Sequence, residues 1–159
     1  MKISFKSGFT LIELLVVITI IGILTALVTT NLAGARSRAR DTRRKSDLRS
    51  IEQSLRLYYN DQKAFPRDNG TGGITGAAWG SQFAVGTTVY ISSLPTDPSS
   101  TTTTTITYKY VSTSDDTYLL VSSLENLSDP DIAESQSRCT TALLGYTETV
   151  ATDYVVCVQ

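Results

Sequence analysis

No charged residue stands between Leu14 and Ala35. The core of that run, residues 14–28, is almost wholly Leu, Ile, Val, Ala and Gly. A helix needs about 20 apolar residues to cross the hydrocarbon core of a bilayer. Residues 9–28 just reach that length. The helical pattern then continues into polar sequence. Residues 31–60 contain no proline, and Gly34 is their only glycine. Leu48, Ile51, Leu55 and Tyr58 recur at three- and four-residue spacing, which makes one apolar stripe with charges on the other faces. Pro66 ends the pattern, because the residue before a proline avoids the helical region. One helix over residues 9–61 would be roughly 78 Å long at 1.5 Å per residue. No small domain covers that length, so part of the helix needs lipid, or other copies of itself, as its solvent.

The chain has 159 residues, enough for one small domain beside such a helix. Residues 67–86 are rich in glycine and read as a loop around Trp79. Beyond them the period changes to two. Residues 87–92, 105–112, 117–123 and 152–158 are rich in β-branched residues and tyrosine and predict strands. Residues 112–116 fit a hairpin connection, and the low-complexity run 99–105 fits an exposed, floppy loop. The residues thus predict one long N-terminal helix followed by loops and strands.

The start of the chain carries the most specific pattern. Residues 1–8 are short, polar and basic through Lys2 and Lys6, and end in Gly8. Phe9 follows, then Glu13 four residues on, at the opening of the apolar run. A carboxylate inside an apolar helix costs about 2–3 kcal/mol or more at the bilayer centre and less near its edge, so it is rare without a purpose. The stretch from Gly8 through Phe9-Thr10-Leu11-Ile12-Glu13 to Ile18, with Ile21-Gly22-Ile23-Leu24 after it, closely resembles the cleavage and assembly motif of type IV pilins and type II secretion pseudopilins.

That resemblance implies a division of the chain. Residues 1–8 would be a prepilin leader, and 9–35 the hydrophobic, membrane-embedded and assembling half of the helix. Residues 36–61 would be its amphipathic half, and 62–159 a pilin-like β-domain. Cleavage would fall between Gly8 and Phe9, with Phe9 the N-methylated new terminus and Glu13 the assembly glutamate. The Phe9 amine would lie one turn from Glu13, or would meet the Glu13 of a neighbouring copy, which is a way of fixing helix register. The implied partners are copies of itself and related pilins in a helical homopolymer, the prepilin peptidase and methyltransferase, and the inner-membrane assembly platform. The implied location is a single-pass membrane protein with its C-terminal domain outside the cytoplasm, later part of a filament. The fold implied is α+β: a long N-terminal helix whose outer half packs on a small antiparallel sheet. Many pilins carry a proline within the helix where this chain has Thr30, which implies a more regular helix here.

A second segment, Leu94-Pro95-Thr96-Asp97-Pro98 followed by Tyr108-Lys109-Tyr110, resembles the stretch before the sheet in major pseudopilins of type II secretion. Those proteins continue with Trp-Gly and carry a calcium-binding loop. Here Ser99-Ser100 stands in that place. Asp115, Asp116, Asp129 and Asp131 offer hard oxygen ligands of the kind calcium takes, without EF-hand-like spacing, so solvated loop acids are the competing reading. Cys139 and Cys157, an even pair in a Thr/Ser-rich segment, read as a disulfide, the alternative being two buried free thiols. A disulfide near the C-terminus is closer to true pilins, so the two branches stay open. Closing that loop of roughly 18 residues is worth about 3 kcal/mol on the chain-entropy account.

Charge is balanced overall, at −1, and distributed unevenly. Arg36, Arg38, Arg40, Arg43, Arg44, Lys45 and Arg49 face only Asp41 and Asp47 within the same stretch. A basic cluster on a helix is commonly a solvated face, and nucleic-acid binding is not expected from it. The cluster also runs against the positive-inside rule, which would keep this flank in the cytoplasm. The motif and the cysteines point the other way. The chain has no histidine, so neither Ser-His-Asp nor Cys-His catalysis can be built, and no enzyme is expected. Two non-enzymatic rivals remain. A conventional signal peptide would be cleaved after Ala35, at Ala33-Gly34-Ala35. A monomeric, membrane-anchored binding domain would keep Met1 and not depend on Glu13.

Overall fold

The computed structural model describes residues 8–100, 108–140 and 151–158, with the side chains of residues 27–31 and 113 outside the description. Residues 1–7, the run 101–107, the segment 141–150 and Gln159 therefore lie outside it, and with them Lys2, Lys6, most of the expected leader and parts of the expected floppy loop, the expected strand 105–112 and the cysteine-bounded loop.

Helix α1 spans Leu11–Gln62. It passes Thr30 without a break, as the missing proline predicts. By its internal contacts the chain divides at Arg36 and Ser37.

In the first unit Phe9, just before α1, is 81% exposed, and the apolar side chains of α1 are exposed after it: Leu11 at 88%, and Ile12, Leu15, Ile18, Ile21, Ile23 and Leu24 with it. The hydroxyls of Thr19 and Thr25 donate to the carbonyls of Leu15 and Ile21, one turn back. They therefore add no unsatisfied polar group to the apolar surface. Among the described residues no helix is long and apolar enough to cross a membrane. The run with described side chains, residues 11–26, falls short of the about 20 that a bilayer core requires. The expected span is thus not complete among the described residues.

In the second unit α1 carries the predicted stripe. Leu48, Ile51 and Leu55 are fully buried, and Tyr58 packs beside them. The Lys63 amide donates to the Tyr59 carbonyl, with Lys63 in the left-handed region at φ 57°, and this closes the helix. Residues 66–82 then fold around Asn69, whose Oδ1 accepts from the amides of Thr71 and Gly73. A Cβ on Gly73 would stand 2.7 Å from the Asn69 amide nitrogen, so any larger residue would displace the Asn69 side chain.

The sheet that meets the stripe is antiparallel. A hairpin of β1 (Phe83–Val85) and β2 (Thr88–Ile91) precedes it. The main sheet holds β3 (Lys109–Ser114), β4 (Thr117–Ser123) and β5 (Asp153–Cys157) in the order β3-β4-β5. Between β4 and β5 lies α2 (Pro130–Arg138). Side chains alternate on β4. Tyr118 and Leu120 join Leu48, Ile51, Leu55, Tyr110 and Tyr154 in the larger core. Leu119 and Val121 point the other way, into a smaller cluster with Val155, Cys139 and Cys157. The central strand is thus buried on both faces.

The α+β architecture is the one expected. Two elements differ from the sequence reading. Strand β1 lies inside the stretch read as a glycine-rich loop, because Gly86 at φ 58° makes it half of a tight hairpin. Helix α2 went unpredicted, although Asp129 followed by Pro130 is a helix-start signal. The Asp129 carboxylate accepts the Asp131 amide, and the proline sits where no amide is needed.

Candidate functional site

At the start of α1, Thr10 and Glu13 form a capping box. The Glu13 amide donates to Thr10 Oγ1 at 3.3 Å, and the Thr10 amide donates to Glu13 Oε2 at 2.9 Å. The Thr10 hydroxyl donates to the same carboxylate oxygen at 2.7 Å. Glu13 therefore already serves the helix it belongs to, with one oxygen engaged. Phe9, Ile12, Glu13, Val16 and Val17 line a shallow apolar hollow on this face. The Thr-x-x-Glu spacing was readable in the sequence as a capping signal, yet only the glutamate was singled out there.

The basic stretch of α1 organises the second unit. Arg44 is 1% exposed and uses all five of its N–H donors. Its Nε and Nη2 grip Asp97 at 2.7 and 3.0 Å. Its Nη1 donates to Asp41 at 2.7 Å and to Glu125 at 2.9 Å, and Nη2 also donates to the Ser99 hydroxyl at 2.7 Å. Asp41 in turn accepts the amides of Glu125 and Asn126. Arg40 donates through Nε to Glu125 Oε1 at 2.7 Å and through Nη2 to Glu125 Oε2. Lys45 reaches both carboxylate oxygens of Asp129 at 2.7 Å and one of Asp131 at 2.8 Å. One helical face thus clamps the segment around Asp97 and the connection between β4 and α2.

Electrostatics follow the geometry. The hydrogen bonds from Arg40, with help from Arg44, hold the Glu125 carboxyl at about 2, against the burial that opposes its charge. Burial works against the charge on Arg44, but bonds to Asp97, Asp41 and Glu125 outweigh it and hold the guanidinium above its ordinary value. Lys45 is also raised, its bonds to Asp129 and Asp131 overcoming burial. The expectation of a solvated basic face is corrected for these three residues. Asp41 apart, their charges are neutralised by acids that lie more than fifty positions away in the chain, beyond the reach of any local pattern. Ser99 likewise is not part of a floppy loop but a ligand of Arg44.

A family motif described as the prokaryotic N-terminal methylation motif matches residues 3–29. Type II secretion system core protein G of Aeromonas hydrophila is 43% identical over 61 residues, which are 38% of this chain and 43% of that protein. The protein of the same name from Escherichia coli K12 is 41% identical over 64 residues, 40% of this chain and 44% of its own length. That from Vibrio cholerae is 35% identical over 65 residues, 41% and 44% of the two chains. Over its N-terminal part the chain is thus similar to type II secretion pseudopilins and carries the N-terminal methylation motif. It spans under half the length of the curated relatives it matches. No solved structure matches it.

Pseudopilin resemblance brought calcium into question, and the four acids named for it do not make a common site. Asp115 pairs with Arg67, and Asp116 accepts from the Tyr59 hydroxyl at 2.8 Å, both at the β3–β4 turn. Asp129 and Asp131 lie at the start of α2 and are held by Lys45. Among the described residues no group of three or more His, Cys, Asp or Glu side chains could hold a metal ion. Calcium takes 6–8 oxygens, and an ammonium already sits on the oxygens that Asp129 and Asp131 supply. These four residues do not fit that ion. The expected disulfide joins Cys139 to Cys157, tying the end of α2 to the end of β5.

Proposed function

We propose that this chain is a non-enzymatic structural subunit of a type II secretion pseudopilus, made as a prepilin and polymerised through its N-terminal helix. The reading rests on one observation above others. The cleavage and methylation pattern opens an α-helix whose apolar side chains from Phe9 to Leu24 are exposed. Such a surface is stable only in lipid or against like helices. The assignment to secretion rather than to a surface pilus is taken from the name that the relatives carry.

In this reading a peptidase cuts between Gly8 and Phe9, and the same maturation step methylates the Phe9 amine. The helix stays in the inner membrane, with the C-terminal domain outside the cytoplasm, until the assembly platform draws it into the filament. The core of the filament is about as apolar as the bilayer it leaves, so the transfer needs little hydrophobic work. Glu13 then pairs with the Phe9 amine of a neighbour. Thr10 engages only Oε2, so Oε1 stays open to that amine. The pair fixes the stagger between helices, the best-attested use of a buried ion pair.

The basic flank runs against this topology by the positive-inside rule, and folding offsets part of that charge. Arg40, Arg44 and Lys45 are neutralised by Asp97, Glu125, Asp129 and Asp131 after the domain forms outside. The test is mass spectrometry of the mature N-terminus in the membrane fraction. A chain beginning at methylated Phe9 is expected. A chain beginning at Arg36, or one that keeps Met1, would overturn the proposal.

A further inference from the structure

We propose that Lys45 is the resident cation of the Asp129/Asp131 loop, so that these two carboxylates need no metal ion to neutralise them. An ammonium has three donors and no acceptor. Here three carboxylate oxygens receive them: Asp129 Oδ1 and Oδ2 at 2.7 Å and Asp131 Oδ2 at 2.8 Å. The Tyr154 ring closes another side, its centroid 5.6 Å from Nζ, in reach of a cation–π attraction. The ammonium is therefore fully coordinated by the protein.

The Lys45 side chain is only 15% exposed. It leaves α1 between Arg44, which is pinned by five hydrogen bonds, and Leu48, which is fully buried. A divalent ion at the same oxygens would stand within a few ångströms of this fixed positive charge. It would also have to compete for Asp129 Oδ1, which accepts the Asp131 amide as the cap of α2. The arrangement links two elements at once. Lys45 neutralises the capping carboxylate, so the start of α2 is tied to α1 by a covalently supplied cation instead of a captured one. The inference stands on this geometry alone and is independent of whether the chain polymerises.

The experiment is thermal unfolding of the full chain in detergent micelles, in EDTA and in millimolar calcium chloride. The wild type should melt at the same temperature in both. Lys45→Met in EDTA should melt lower by roughly 3–6 °C. Adding Asp129→Asn and Asp131→Asn to that variant should recover most of the loss, because neutral amides need no counter-ion. A wild-type melting temperature that rises with calcium would overturn the proposal. So would a Lys45→Met chain as stable as the wild type, or a triple variant that recovers nothing. If Lys45→Met does not fold, the triple variant decides alone: folding supports the proposal and failure to fold overturns it.

Discussion

Arg44 and Asp97 stand 53 positions apart and meet in a two-bond clasp, Nε to Oδ2 at 2.7 Å and Nη2 to Oδ1 at 3.0 Å, with both side chains almost fully buried. Moving two charges out of water is costly, and such a pair is not by itself a source of stability. What it does here is order the chain. Asp97 also accepts the Ser99 amide, and Asp41 receives two amides from the β4–α2 connection, so three separate segments converge on one guanidinium.

Breaking that convergence leaves buried carboxylates without a counter-charge. Arg44→Met should lower stability by about 3–5 kcal/mol. Arg44→Lys should recover only part of the loss, because an ammonium cannot make the two-bond grip on Asp97. Urea or thermal unfolding of the full chain in detergent measures both. An Arg44→Met chain within experimental error of the wild type would remove the network from the account.

Acid should weaken the same network in a defined window. The Glu125 carboxyl is held at about 2, below its ordinary 4.5. A group lowered on folding contributes stability that is complete above its unfolded value and lost as pH falls through its folded one. Stability should therefore decline from about pH 4.5 towards pH 2, and Glu125→Gln should flatten part of that decline. Unfolding curves taken across this range check the slope.

The Cys139–Cys157 bridge has a sequence separation of 18 and ties α2 to the edge strand β5. Replacing both cysteines with serine should cost about 3 kcal/mol on the chain-entropy account. Unfolding midpoints with and without reductant should show the same difference for the wild type and none for the double variant.

At the other end, Glu13→Gln should insert into membranes normally and fail to form filaments, since the amide keeps the shape and loses the charge. Thr10→Val should keep the charge but lose the cap, at a cost of about 1 kcal/mol to the helix start. Filament yield and membrane fractionation, measured side by side, separate the two effects. Filaments formed at wild-type yield by Glu13→Gln would remove the ion pair from the assembly step.

The buried stripe is a simpler case. Leu55 is fully buried against the sheet, and Leu55→Ala should destabilise by about 2–5 kcal/mol. Leu57, two positions on, is exposed, and the same truncation there should change little on a comparable unfolding curve.

Much of this was written in local pattern. The period of Leu48, Ile51, Leu55 and Tyr58 placed the buried face of α1, because helical geometry repeats it regardless of what lies opposite. The alternation from Thr117 to Ser123 placed β4 for the same reason. The pattern from Gly8 to Glu13 carried the motif match, since a motif of this kind and a helix start both lie in a short contiguous segment. The hairpin strand β1 and helix α2 escaped because a glycine-rich run hid the one and a short, mostly polar composition hid the other.

The sequence by itself determined the long helix, its exposed apolar half, the α+β class and the motif at its head. These depend on residues within a turn or two of each other. Only the tertiary structure decided the fate of the charges. A run of arginines and lysine looks alike on paper whether it faces water or buried acids. Arg44 became a core residue, and Lys45 the counter-ion of α2, because folding brought Asp97, Glu125, Asp129 and Asp131 to their side. Coulomb attraction acts through space, and spacing along a chain does not record it.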